Sequence, residues 1–144
     1  MKHEDTINLL KECNAGVKMG VDSIDDVLGY VQNENLKQML TASKEEHQRL
    51  GSELHRLLNQ YDESGKEPSL MAKSMSWMKT SMKMAVDQSD STAADLMTDG
   101  CNMGVKFLNR YLNQYQAADE TSKNIAKELI CMEEQLTRDM RPYL

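Results

Sequence analysis

The side chains of this 144-residue chain best suited to chemistry are His47 and the three cysteines, Cys13, Cys101 and Cys131. An imidazole can ligate a metal or accept a proton, and a thiolate can ligate a soft metal or act as a nucleophile. The pattern around them is unhelpful to that chemistry. The cysteines are odd in number and widely spaced, with no Cys-x-x-Cys pair, and one histidine with scattered cysteines lacks the ligand spacing of a zinc site. The three cysteines therefore read as small buried apolar residues in a reducing compartment. His47 reads as a core histidine whose ring bonds Ser43, Asn14, a tyrosine or water, because a buried imidazole must find partners. A metal or proton-accepting site of His47 with Cys101 is the competing reading. No bound metal or cofactor is expected.

A second concentration of unusual residues is "SLMAKSMSWMKTSMKMAVD", Ser69 to Asp87, with five methionines and the only tryptophan. Met71, Met75, Met78 and Met82 step by four, three and four, which aligns them on one helical face. Leu70, Trp77 and Met84 step by seven and form a stripe beside it. Together they give an apolar arc of about 200°, against the ~100° a surface helix needs to face one core. Two stripes imply two contacts: one with the body of the protein, the other with a second copy, a separate protein partner or a small apolar ligand. Methionine is adaptable enough for such a surface. A Cu(I)-thioether site is a sharper alternative, but the cysteines it would want lie on other helices.

Four longer amphipathic segments surround that one. The first spans Asp5 to Val31, with Ile7, Leu10, Val17, Val21, Ile24, Leu28 and Val31 on one seam and Asn14 as its polar member. The second spans Leu36 to Tyr61 and carries His47 in a strict four-three pattern. "QNEN" between them offers Asn33 or Asn35 as an N-cap, and so short a joint makes an antiparallel hairpin. Pro68 opens the methionine segment, which runs to Val86. Asp90 or Ser91 caps the third helix, Thr92 to Tyr115, whose seam includes Met97, Cys101, Val105 and Leu108. Asp119 caps the fourth, which runs to Met140 with Ile125, Leu129, Met132, Leu136 and Met140 inward, and Pro142 stops it. "CNAGVK" at Cys13 and "CNMGVK" at Cys101 hint at an internal repeat. Gly16 with Gly20, and Gly100 with Gly104, point to close helix approach, because glycine within a helix otherwise costs about 1 kcal/mol.

Two hairpins with a helical link give an all-α bundle in a single domain, residues 1–144. A link of about 18 residues at ~1.5 Å each reaches about 27 Å, enough to traverse much of a bundle. Glu45, Glu46, Glu53, Glu133 and Glu134 fall off the seams and are expected to pair with cations, as Glu45 would with Arg49 one turn on. A net charge of −6 with no dense run of Lys or Arg disfavours nucleic acid. No stretch approaches the roughly 18 apolar residues of a membrane span, and the first ten residues lack a signal-peptide core, so a cytoplasmic protein is expected.

With "LLKECNAGVKMGVDSIDDVL" opening a hairpin, a short amphipathic crossover and a second hairpin, the chain resembles the ferritin-like four-helix-bundle superfamily. It is most similar to small bacterial ferritin-like proteins grouped as a domain of unknown function. The better-known members hold two irons with a Glu on each of two helices and Glu-x-x-His on each of the other two. This chain departs from that pattern. Lys44 stands three before His47, Ser52 three before His55, and "KELICMEEQLTRDM" has no histidine. The expectation is a non-enzymatic structural or interaction protein, homodimeric through Leu70, Met71, Met75, Trp77, Met78, Met82 and Met84. The alternatives are a metal-binding protein with an atypical site near His47, or an apolar ligand carrier.

Overall fold

The computed structural model describes residues 3–61 and 88–144. Four long helices account for most of them: α1 Glu4–Leu28, α2 Glu34–Asn59, α3 Asp90–Gln114 and α4 Glu120–Met140. No strand occurs among the described residues. A 3-10 turn, Arg141–Tyr143, carries Pro142 and closes α4. The methionine and tryptophan positions expected at an interface, Leu70, Met71, Met75, Trp77, Met78, Met82 and Met84, lie outside the described residues.

Local chemistry sets the helix starts. The side chain of Asn33 accepts from Leu36 N at 3.0 Å, and that of Asp119 from Ser122 N at 2.8 Å. Both satisfy amide groups that a helix N-terminus leaves without partners. The cap of α3 is Ser89, which accepts from Thr92 N at 3.0 Å, rather than Asp90 or Ser91. The Asp90 side chain reaches elsewhere. Its two carboxylate oxygens accept from Gln32 N at 2.7 Å and Asn33 N at 3.1 Å. A residue at the start of α3 thus secures the α1–α2 joint. At the opposite end, Asp119 N donates to Thr6 Oγ1 and Ala117 N to Asp5 Oδ2, so the start of α1 secures the α3–α4 joint.

These ties fix the direction of every helix. α1 and α4 run one way, α2 and α3 the other. The rings of His3 and Tyr61 meet at 5.3 Å, so α2 finishes where α1 begins. Asp90 places the start of α3 at the far end. The described parts of the chain therefore leave α2 at one end of the bundle and enter α3 at the other. α1 packs against all three other helices, as does α4, while α2 and α3 take opposite corners.

Burial differs from the sequence expectation by a small rotation in α1. Ile7, Val21 and Leu28 are only half-buried, and Leu9, Gly20 and Val27 are inside instead. In α4 the corresponding change is larger in consequence. Met132 is half-buried and Glu133 takes the inward position. Cys131 is exposed, contrary to its reading as a core residue, while Cys13 and Cys101 are buried.

The two hairpins match each other in burial. Leu9, Leu10, Cys13, Val17, Gly20, Ile24 and Val27 of α1 correspond in order to Ala93, Ala94, Met97, Cys101, Gly104, Leu108 and Tyr111 of α3. Leu36, Leu40, His47, Leu50 and Leu54 of α2 correspond to Ser122, Ala126, Glu133, Leu136 and Met140 of α4. The sequence likeness between Cys13 and Cys101 is one helical turn out of this register, since Cys101 occupies the counterpart of Val17.

Candidate functional site

The core is not continuous. One apolar cluster gathers Leu9 to Val17, Leu50 to Leu58, Leu108 with Tyr111, and Ala118 to Leu129. The other gathers Ile24 to Val31, Leu36 with Leu40, Ala93 to Cys101, and Leu136 with Met140. Between them each helix contributes one residue: Gly20, His47, Gly104 and Glu133.

His47 is 1% exposed and Glu133 6%. The imidazole Nδ1–H donates to the Ser43 carbonyl oxygen at 2.7 Å, an assignment forced because a carbonyl can only accept. The Ser43 hydroxyl stands farther off, at 3.5 Å. On the other side Nε2 lies 2.7 Å from Glu133 Oε1, with a proton between them. Burial pulls the proton affinity of the imidazole down. The hydrogen bond to Glu133, the charge of that carboxylate, the Ser43 carbonyl and the charge of Glu46 together outweigh it and hold the imidazole above its ordinary pKa. The imidazole thus faces the Glu133 carboxyl group across a single proton in a closed core.

Cys101 joins the same carboxylate. Its buried thiol lies close enough to Glu133 and Thr137 for both to act on its proton affinity. Burial, then the Glu133 charge and hydrogen bond, hold it well above the usual thiol range, against a smaller opposing effect of Thr137. An activated thiol needs the opposite surroundings, a neighbouring cation and partial exposure. Thr137 Oγ1 also donates to the Glu133 carbonyl at 2.9 Å, which fixes the turn of α4 that bears the carboxylate.

The glycines make room for the pair. A Cβ on Gly20 would stand 2.9 Å from His47 Cδ2 and 3.1 Å from Nε2. A Cβ on Gly104 would meet Glu133 Oε2 at 3.6 Å, an ordinary contact. The close approach expected from the glycine spacing is therefore made at Gly20, and it is helix against side chain.

The sequence places His47 in the core with Ser43, Asn14, a tyrosine or water as alternative partners, and names Cys101 beside it only in the competing metal or proton-accepting reading; the structure gives Ser43. The sequence also assigns Glu133 to the surface, and the structure corrects this: Glu133 is the residue on which His47 and Cys101 converge. The expected Glu45–Arg49 pair is also replaced, because Arg49 reaches across to Glu128 of α4 at 2.7 Å. The signal that could have found Glu133 is spacing. Leu129, Glu133, Leu136 and Met140 step by four, three and four as well as the version through Met132 does. A histidine in the seam of α2 also calls for an acid across the core.

Among the described residues, no group of three His, Cys, Asp or Glu side chains is arranged to hold a metal ion. A cleft of about 140 Å³ opens between α2 and α4, lined by Met39, Ala42, Ser43, Glu46, Met132, Gln135, Leu136 and Asp139. The pocket expected for an apolar ligand was placed against residues 68–86, outside the described residues. No described helix is long and apolar enough to cross a membrane. Comparison with protein-family models, curated proteins and solved structures finds no match to this chain.

Proposed function

We propose that this chain is a non-enzymatic structural or interaction protein with a ferritin-like arrangement that lacks the di-iron ligand set. One observation carries the reading: the buried reactive groups of the central layer are consumed by one another. Both nitrogens of His47 are committed, one to Ser43 and one to Glu133, and the Cys101 thiol is buried beside the same carboxyl group, which raises its pKa. The central positions of α1 and α3 are glycines. One imidazole and one carboxylate thus stand where a di-iron site wants four carboxylates and two histidines. Opposite helix ends between α2 and α3 support the single long crossover of that arrangement.

The partner in this reading is a second copy of the chain, in a cytoplasmic homodimer. The support is the double apolar stripe in the sequence, with Leu70, Met71, Met75, Trp77, Met78, Met82 and Met84 as its contacts. Two measurements test the whole. Elemental analysis of untagged protein grown with iron, zinc, manganese and copper is expected to find no stoichiometric metal. Metal that disappears in His47→Ala would replace this reading with an atypical metal site. Size-exclusion chromatography with light scattering is expected to find a dimer that Trp77→Ala or Met78→Glu converts to monomer. Variants that remain dimeric would place the interface elsewhere.

A further inference from the structure

We propose that the proton between His47 Nε2 and Glu133 Oε1 is a latch between the two hairpins, and that the hairpins loosen when it is removed. The Nδ1 hydrogen is pinned by the Ser43 carbonyl, so the ring cannot switch tautomer to suit its other side. If the imidazole loses its second proton, Nε2 must present a lone pair to Glu133. Two acceptors would then face each other at the present 2.7 Å separation, and a carboxylate would stand in the core without its counter-charge. Burying such a group unpaired is costly, and the low local dielectric that strengthens the pair when protonated makes its loss worse.

The surroundings offer little compensation. α1 faces the ring with Gly20, which has no side chain to donate. α2 adds the negative charge of Glu46, which favours the proton. α3 contributes the buried Cys101 thiol, whose own pKa the same carboxyl group raises. α4 supplies Glu133 itself and the Thr137 hydroxyl. The release available to the molecule is separation of α2 from α4, which would let water reach Glu133. His47 belongs to the first hairpin and Glu133 to the second, so that separation is movement of one hairpin against the other.

Linkage gives the sign. The folded-state pKa of His47 lies above its unfolded value of about 6.5. The pair's full contribution is present below that value and is lost as pH rises through the higher folded value. The test is amide exchange by mass spectrometry on the full chain at several pH values from 6 to 9, with wild type compared to Glu133→Gln at each pH so that intrinsic rates cancel. The carboxamide of that variant can donate a hydrogen to the neutral imidazole, so its bond needs no titratable proton. Opening of α2 and α4 around His47 and Glu133 in wild type, relative to this variant, is expected to rise with pH by up to about tenfold per unit between the unfolded value and the higher folded one, and to level off once the folded protein has lost the proton. A ratio that does not change with pH overturns the latch. If the variant does not fold, an NMR titration of the wild-type imidazole decides: a His47 already neutral at pH 6 overturns the proposal, and one charged above pH 7 with exchange accelerating as it titrates upholds it.

Discussion

Gly20 faces the edge of the His47 ring so closely that a methyl group at that position would stand 2.9 Å from a ring carbon. Gly104 occupies the matching place on α3 and leaves Glu133 an ordinary van der Waals gap. The two glycines should therefore respond differently to the same substitution. Gly20→Ala forces the ring or α1 to shift and is expected to cost about 1–3 kcal/mol, as overpacking does. Gly104→Ala keeps its space and removes a helix penalty, so it should be neutral or stabilising by up to about 1 kcal/mol. Urea denaturation of the two variants decides this, and equal effects would remove Gly20 from its role.

The His47–Glu133 pair predicts strong non-additivity. Removing either partner alone, as in His47→Leu or Glu133→Leu, leaves a buried polar group unsatisfied and should cost about 3–5 kcal/mol. Replacing both leaves two apolar residues in an apolar neighbourhood, and the double variant should be far more stable than the sum of the single losses implies. Denaturation of the four proteins in a double-mutant cycle measures the coupling. Additive losses would mean that the two side chains do not act together.

The cysteines should separate cleanly by reactivity. Cys131 is exposed, whereas Cys13 and Cys101 are buried. Burial, with a smaller contribution from the Glu12 charge, pushes the Cys13 thiol up to about 12. At pH 8 only about one Cys13 in ten thousand is then thiolate, the form that reacts. An aromatic disulfide reagent should label Cys131 quickly in the native protein and all three thiols after denaturation. Rapid loss of all three in native buffer would contradict the described core.

Asp90 joins α3 to the α1–α2 joint through two backbone donors. Asp90→Ala is expected to cost about 1–2 kcal/mol through the loss of charge-assisted bonds at a partly hydrated site. Ser89→Ala should cost about 1 kcal/mol by a different route, the loss of an N-cap. Thermal unfolding will register both. Amide exchange should distinguish them, with Gln32 and Asn33 released by the first substitution and Thr92 by the second.

Much of the fold was legible because the helices carry four-three apolar seams and short polar joints. α2 matched its seam from Leu36 to Leu57, with only Ser43 less than buried, and Asp119 and Asn33 cap as their positions suggested. The failures have a common cause. Where an apolar residue and a charged one sit side by side in a helix, hydrophobicity favours the apolar one, and at Met132–Glu133 that choice is wrong. A carboxylate is seldom buried unless paired, and the residue that pairs with Glu133 is 86 positions away. The pair is a property of two hairpins meeting, which no single helix records. Arg49 shows the same limit: the one-turn neighbour was the legible partner, and the cross-bundle Glu128 takes its place.

The correspondence between the hairpins has a last consequence for self-assembly. Two halves with the same buried pattern present similar surfaces to copies of themselves. Pairing two first hairpins would set imidazole against imidazole at the central level, and pairing two second hairpins would set carboxylate against carboxylate. Either homotypic match carries buried like charges or unsatisfied acceptors, whereas the heterotypic match supplies acid to base. The central pair thus acts as a mating key. It matches a first hairpin to a second one, from the same chain or exchanged between two chains, and sets a penalty against assemblies built from identical halves.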